Sequence, residues 1–243
     1  MTDRPVLVAP GAFGDVRAPR AAAAIGRGLE RAGLRPPDLC PLSDGGAGPI
    51  EILLPALGGE TADGFALLGD GTALVEPADT PAGTAKLLER AAAAGPALVV
   101  LAAADAGMEH AAEALRAAGA LGGARALVLT GPGARDEPPA LGTGVLAEPG
   151  ARFVLEALGV DARMRAARAV IVGVARLDER ALEGAILGEL ATRARQAGVP
   201  CHAIAGERAL DAFAARILDL QRIAEAHGAE GLEDAAASLA GVL

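Results

Sequence analysis

The sequence predicts an α/β fold in which a mainly parallel sheet is flanked by helices. Apolar runs of strand length, at 6–9, 97–102 and 125–130, are separated by longer stretches of helical character. Because parallel strands need a crossover connection, this alternation indicates parallel pairing. The hydrophobic fraction of 52% comes mainly from Ala, Val, Leu and Ile, with no Trp or Tyr, and these small side chains suit close packing of helices on a sheet.

The first predicted elements alternate between strand and helix: a strand at 6–9, a helix at 19–32, a strand at 39–42 and a helix at 50–57. A glycine turn, Asp44-Gly45-Gly46, leads into the second helix, and Gly58-Gly59 ends it. The next two strands, Phe65–Leu68 and Ala73–Val75, flank Gly69-Asp70-Gly71. Since Asp-Gly tolerates the positive φ of a tight turn, this segment predicts an antiparallel hairpin.

The later elements are predicted as helices at 83–94, 109–118, 153–158 and 179–197, strands at 97–102, 125–130, 170–173 and 201–205, and helices from there to the C terminus. Proline and glycine dominate residues 131–150, including Pro138-Pro139 and Gly142-Thr143-Gly144, which predicts a linker or domain junction. We therefore expect a discontinuous main α/β domain and a reduced second domain, at 1–60 with 149–243 and at 61–148.

Composition narrows the partners that we expect. The net charge of −9 and the pI near 4.9 oppose binding to a polyanion, so nucleic acid is not expected. No apolar run approaches the ~20 residues of a membrane-spanning helix. Two cysteines, Cys40 and Cys201, are too few for a disulfide scaffold, and no signal-peptide pattern is found, which makes the cytoplasm the expected compartment. Homo-oligomerisation is left open.

The histidines and cysteines carry no recognisable site pattern. His110, His202 and His227 are far apart in the sequence and have no metal-ligand spacing, and neither cysteine has a positioned partner. We expect these residues to be structural.

Two segments in the first 60 residues resemble the bacterial glycerate kinase family. V-A-P-G-A-F-G-D at 8–15 lies where that family has a strand ending in A-P-D-S-F-K-G. P-L-S-D-G-G-A-G-P at 41–49 lies where it has P-x-A-D-G-G-E-G-T, and L-G-G at 57–59 follows at the expected spacing.

A third segment in the last 95 residues continues the resemblance in the same order. P-G-A-R-F-V-L at 149–155 leads through V-I-V-G-V-A-R-L-D at 170–178 to A-G-V-P at 197–200, similar to the family's G-E-G-R-[LI]-D block and the strand after it. The resemblance implies a Rossmann-like or flavodoxin-like sheet, with 61–148 as a trimmed second domain.

The resemblance also implies a reaction and a set of site residues. Members of the family phosphorylate glycerate with ATP and Mg²⁺. Asp44 is then the candidate metal ligand or substrate-orienting group, and the N–H groups of Gly45, Gly46 and Gly48 are candidates for anion binding. The other catalytic candidates are Arg176, which could hold an anionic substrate by paired hydrogen bonds, and Asp178.

Each of these candidates has a simpler interpretation. Asp44 fits an Asp-Gly turn between strand and helix, Asp178 fits a helix cap before Glu179, and Arg176 fits a surface arginine.

Ligands of open parallel sheets bind at the carboxyl ends of the strands, so we expect the loops at Gly11, Asp44 and Arg176 to share one cleft.

Several family positions are changed in this chain, mainly at phosphate-handling residues. Charged residues of the family correspond to Gly11, Gly14, Val174 and Ala185. The second motif has Ala47 and Pro49 in place of an acidic and a hydroxyl residue, and the glycine-rich G-G-S-A-T-N-D-G-G loop corresponds to Ala102–Gly107, where Cβ atoms would obstruct phosphate.

Three functional hypotheses follow. The first is ATP-dependent phosphorylation of glycerate or a similar hydroxy acid, motivated by Asp44, Arg176 and Asp178. The second is a catalytically inactive relative that acts as a small-molecule-binding or protein-interaction module, motivated by the missing charges. The third is a sensor for another small acid that uses the same cleft.

Overall fold

The protein is described by a computed structural model that covers residues 4–46, 48–62, 64–119, 121–133, 141 and 144–243. The chain divides into two compact units. The first unit is Met1–Leu42 with Gly159–Leu243, and the second is Ser43–Leu158. The split places the catalytic candidates Arg176 and Asp178 in the first unit and Asp44 in the second.

Strands and helices alternate along most of the described chain. The strands are β1 (Val6–Val8), β2 (Asp38–Leu39), β3 (Gly59–Ala62), β4 (Phe65–Leu68), β5 (Thr72–Val75), β6 (Leu98–Ala102), β7 (Arg125–Thr130), β8 (Val145–Pro149), β9 (Ala169–Leu177), β10 (Cys201–Arg208) and β11 (Leu220–Glu225). The α-helices are α1 (Ala18–Arg31), α2 (Pro49–Leu57), α3 (Pro81–Ala93), α4 (Met108–Ala118), α5 (Gly150–Ala157), α6 (Val160–Ala166), α7 (Ile186–Ala197), α8 (Ala212–Ile217) and α9 (Gly228–Leu239). Two short 3₁₀ helices span Glu179–Leu182 and Ala240–Val242.

The first unit contains a five-stranded sheet in the order β11-β10-β9-β1-β2, and all its neighbouring strands are parallel. Numbered in chain order within the unit, its strands run 2-1-3-4-5, which is the flavodoxin-like order. The strand order reverses between β1 and β9. In such sheets ligands bind outside the carboxyl ends of the strands at this switch point.

Both faces of this sheet are buried. Val6 and Val8 of β1 belong to the same core cluster as residues of α1 and α9, whereas Leu7 and Val172, on the opposite face by strand alternation, are also fully buried, with α7 packed against β9 and β10. A sheet covered on both sides needs continuous apolar strands, which explains the runs seen in the sequence. The crossing of α1 and α9 is close because Gly28 has no side chain: a Cβ there would overlap the Glu233 carbonyl oxygen.

The second unit contains a six-stranded sheet in the order β3-β4-β5-β6-β7-β8. Strands β3, β4 and β5 are antiparallel neighbours, and β5 to β8 are parallel. One face packs on α3 and α4 through Leu88 and Leu115, and α2 and α5 lie against β4 and β7–β8. The mainly parallel α/β fold is confirmed, and so is the hairpin at Phe65–Leu68 and Ala73–Val75.

Two element predictions were wrong. A continuous helix at 179–197 is not formed, because Gly184 adopts φ +89 and separates the 3₁₀ helix Glu179–Leu182 from α7. The last segment is not entirely helical, since Leu220–Glu225 is the edge strand β11. Its apolar residues Leu220, Ile223 and Ala224 have helical spacing, and only its pairing with β10 makes it a strand.

The proline- and glycine-rich stretch at 131–150 contains β8 at its end. Pro138, Pro139, Gly142 and Thr143 lie outside the described residues, as does Ala47 of the second motif. None of the described helices is both long and apolar enough to cross a membrane.

Candidate functional site

The Asp44 loop, residues 43–46 and 48, leads directly into α2. Gly45 and Gly48 adopt φ +88 and +90, a conformation that disfavours any residue with a Cβ. The Gly45 N–H donates a hydrogen bond to the buried Ser43 hydroxyl, at 3.2 Å. Asp44 itself is half-buried. The sequence therefore builds a glycine turn that fixes the backbone on either side of one carboxylate.

This loop lies at the carboxyl ends of β6, β7 and β8. Its carbonyl at Gly45 accepts a hydrogen bond from Ala104, two residues beyond β6, at 3.3 Å. A Cβ at Gly45 would lie 2.6 Å from the Gly150 Cα and 3.1 Å from the Leu129 Cβ, and one at Gly150 would overlap the Asp44 carbonyl oxygen. Glycine at 45 and 150 thus permits backbone contact between the Asp44 loop and the start of α5.

Asp105 is a neighbour of this loop that the sequence analysis did not identify. Its carboxylate occupies the space where a Gly46 side chain would begin, so that its Oδ1 would lie 2.6 Å from a Cβ at that position. Asp105 comes soon after the buried strand β6. Parallel strands present their carboxyl ends at one edge, and that rule could have placed Asp105 with Asp44.

The carboxylates of this edge suit a magnesium ion. Mg²⁺ is usually bound by one or two protein carboxylates together with substrate phosphates and water. Among the described residues no group of three or more His, Cys, Asp or Glu side chains could hold a metal. A Mg²⁺ ion that is also bound by phosphate needs only one or two protein carboxylates, and Asp44 and Asp105, in adjoining loops, could supply them.

Several backbone N–H groups near the Asp44 loop already have hydrogen-bond acceptors, so fewer are available to bind phosphate than the glycine-rich sequence predicts. The Gly45 N–H is engaged by Ser43, those of Ala103 and Ala104 by the carbonyls of Leu129 and Gly45, and the Ile50 N–H near the start of α2 by the Glu76 carboxylate at 3.0 Å. Ala102, the last residue of β6, and Ala103, the first residue after it, are both buried in the core. Anion binding by Gly45, Gly46 and Gly48 therefore stays a prediction.

Arg176 and Asp178 lie together at the carboxyl end of β9 in the first unit. The Arg176 Nε is 3.3 Å from Asp178 Oδ2, and its Nη1 is 2.5 Å from Glu207 Oε2 on β10. Asp178 also accepts a hydrogen bond from the Arg180 N–H at 3.1 Å and thereby caps the 3₁₀ helix. The simpler interpretation of Asp178 as a helix cap is therefore confirmed, while its catalytic role stays a prediction.

Three segments converge at the switch point between β1 and β9. The Gly11 N–H donates to the Gly173 carbonyl at 2.9 Å, and a Cβ at Gly11 would lie 4.0 Å from the Ile186 side chain at the start of α7. Ala185 provides no side-chain cap for α7. Such a helix start favours an anion. In the sequence this helix start is marked only by Gly184, a break inside the stretch predicted as one helix at 179–197.

The changed family positions differ in what they could accept. Ala185 has φ −63, and a Cβ at Gly11 would make only ordinary contacts, 3.9 Å from the Gly173 carbonyl oxygen, so neither position excludes a longer side chain. Gly14 at φ +59 would strain any other residue. Val174 is half-buried on β9. A lysine at the Gly14 position would therefore be strained by the backbone conformation, although a Cβ there would meet no neighbouring atom.

The remaining titratable candidates are structural. Burial raises the pKa of the Cys40 thiol to about 11 and that of Cys201 to about 12, which removes thiolate reactivity. His110 Nε2 lies 2.8 Å from the hydroxyl of the buried Thr84. His202 is buried and has no hydrogen-bond partner for either ring nitrogen within the described part of the chain.

Comparisons with known proteins agree with this architecture. The model of the glycerate kinase family matches residues 102–242, more than half of the chain. The crystal structure of "putative glycerate kinase 2" from Salmonella typhimurium LT2 superposes with a TM-score of 0.70 and 17% identity, covering 99% of this chain and 98% of that chain. No match was found among curated proteins.

The structure thus brings Arg176 and Asp178 into contact in one unit and places Asp44 and Asp105 in adjoining loops of the other. Both pairs lie at carboxyl ends of parallel strands. The single cleft expected from the sequence stays a prediction.

Proposed function

Because the chain belongs to the glycerate kinase family, we propose that it transfers a phosphoryl group from ATP, with Mg²⁺, to a hydroxyl of glycerate or a similar hydroxy acid. The observation that carries the proposal is the Asp44 loop, whose glycines fix its backbone at the carboxyl ends of β6 to β8 and whose Gly46 lies against the Asp105 carboxylate. The metal, the nucleotide and the acid are all small molecules, and the cytoplasm, where ATP is available, is the proposed setting.

Asp44 and Asp105 are the proposed ligands of the metal. When bound, Mg·ATP supplies the transferable phosphoryl group and neutralises charge on its oxygens. The rigid turn at Gly45 keeps the Asp44 backbone fixed, so the protein reorganises little when the ion binds. A carboxylate held in this way contributes orientation and charge rather than covalent chemistry.

Arg176 is the proposed contact for the substrate carboxylate, and Asp178 is its positioning residue. The guanidinium can present two parallel N–H groups to a carboxylate. Asp178 orients it through the Nε contact and is itself anchored by the Arg180 N–H. Loss of Arg176 should therefore raise KM for the acid more than it lowers kcat.

A coupled assay of ADP release with glycerate and Mg·ATP tests the proposal. We expect Asp44→Asn to lower kcat/KM about 100-fold, the scale at which one charge-stabilising group acts. Asp70→Asn is the matched control, because Asp70 is a turn carboxylate in the same unit, bonded to the Thr72 N–H. Activity of the natural chain no higher than that of Asp44→Ala would refute the proposal.

A catalytically inactive relative is the second candidate, and a specific observation favours it. The N–H groups of Ala103 and Ala104 are engaged by the carbonyls of Leu129 and Gly45, and a lysine in place of Gly14 would be strained. Such a protein would keep the fold and bind a small acid or a protein without turnover. Single-turnover measurements at high enzyme concentration separate the two: any phosphorylated acid that forms eliminates this candidate.

A further inference from the structure

Arg176 is held by a carboxylate that the family resemblance does not account for. Glu207 lies directly opposite Arg176 in the register of β9 and β10, and strand alternation places the two side chains on the same face. Glu207 Oε2 contacts Nη1 of the guanidinium while Asp178 contacts Nε. The arginine thus already binds a carboxylate of its own chain at the carboxyl edge of the sheet.

The two carboxylates differ in how firmly they are held. The Asp178 side chain is 28% exposed and also accepts the Arg180 N–H, which ties it to the 3₁₀ helix. The Glu207 side chain is 60% exposed and has no second partner among the described residues. Exposed ion pairs of this kind are weak, so an incoming anion can displace Glu207 but not Asp178.

We propose that Glu207 is a specificity-determining residue: it occupies the place of the substrate carboxylate on Arg176 and selects hydroxy acids that carry a single negative charge. This inference rests on the proposed function, in which Arg176 receives the acid. Nη2 of Arg176 has no partner within the described chain, so Nη1 and Nη2 form the edge on which a ligand carboxylate can make two parallel hydrogen bonds.

The selectivity for acids with one negative charge depends on the position of the Glu207 carboxylate after the ligand has displaced it from Arg176. Because the side chain remains attached to β10 beside its partner strand, its charge stays close to the bound acid. A ligand with a neutral remainder tolerates this charge. A second carboxylate on the ligand is repelled, and such repulsive elements are a common source of specificity.

Titration calorimetry without nucleotide tests the inference. The ligands are glycerate, with one carboxylate, and malate, with two. We expect Glu207→Gln to bind glycerate about two- to fivefold more tightly than the natural chain, the range set by an exposed ion pair. The gain for malate should be larger, about tenfold, because the like-charge repulsion also disappears. Arg176→Gln should weaken both ligands about tenfold or more.

Glu233→Gln is the matched control, since Glu233 pairs with Arg27 on α1 and its loss changes the net charge by the same amount. This variant should bind both acids like the natural chain. Equal affinity of Glu207→Gln and the natural chain for glycerate, an equal gain for both acids, or no glycerate binding in any variant would overturn the inference.

The binding experiment on Glu207 and the activity assay of the kinase proposal can succeed or fail independently. If Glu207→Gln tightens binding as expected and no phosphorylated product forms, the inference stands and the kinase proposal fails. If ADP release depends on Asp44 but substitution of Arg176 and Glu207 leaves acid binding unchanged, phosphoryl transfer stands, whereas this inference and the proposed role of Arg176 fail.

Discussion

The two carboxyl edges hold their candidate groups in different ways. In the second unit the Asp44 loop is fixed by close backbone packing. Gly45 and Gly150 have no side chains, so the backbone of the loop can contact the start of α5 directly. In the first unit Arg176 is fixed by charges on an exposed strand end. A loop built on backbone contact tolerates no added atoms. An exposed set of charges can rearrange, so substitutions there should change ligand binding more than stability.

The largest effect is expected when a side chain is added at a glycine of the Asp44 loop, and it should be a loss of stability. We expect Gly45→Ala to lower the free energy of unfolding by about 3 kcal/mol, because the new Cβ meets both an unfavourable φ and the Gly150 Cα at 2.6 Å. Urea denaturation followed by circular dichroism measures the change.

Gly48→Ala is the matched control in the same loop. Gly48 has almost the same φ, +90 against +88, but nothing lies within 4 Å of a Cβ there. Its cost should be limited to the strained φ, about 1 kcal/mol. Equal losses in the two variants would show that backbone contact does not fix the loop.

A smaller effect is expected from the sheet that carries Arg176. His202 on β10 is 2% exposed, and burial together with the nearby Arg222 lowers its pKa. The unfolded chain therefore binds a proton more readily than the folded one, so stability is lost as the pH falls below the unfolded value of about 6.5. We therefore expect the free energy of unfolding to fall between pH 7 and pH 5.

His202→Leu should flatten this pH dependence, and chemical denaturation at several pH values measures it. His227→Gln is the control, since His227 is an exposed residue at the start of α9. A slope that survives in His202→Leu would assign the acid sensitivity to other groups.

The sequence was sufficient for most of the framework. Short apolar runs predicted β1, β6, β7 and β9 because a sheet covered on both faces requires them. The Asp-Gly turn at Asp44 was visible because its φ requirement is local. The strand β11 was missed because its apolar residues have helical spacing and its partner β10 decides its conformation.

The partners of the site residues could not be predicted because they depend on tertiary contacts. Asp105 meets Gly46 across some sixty residues of chain, and Glu207 meets Arg176 only through the register of β9 and β10. No local pattern encodes either contact. The helix start at α7 was within reach, since Gly184 is a break signal that a stricter helix prediction would have used.

Calorimetric titration of ATP into the natural chain and into Asp44→Asn, each with and without Mg²⁺, is the most direct test of the proposed metal site. We expect the natural chain to bind ATP only when Mg²⁺ is present, and Asp44→Asn to bind Mg·ATP about tenfold or more weakly, because we propose that the metal holds the phosphates at this edge. Absence of Mg·ATP binding to the natural chain, or equal affinity of the two proteins, would contradict this proposal.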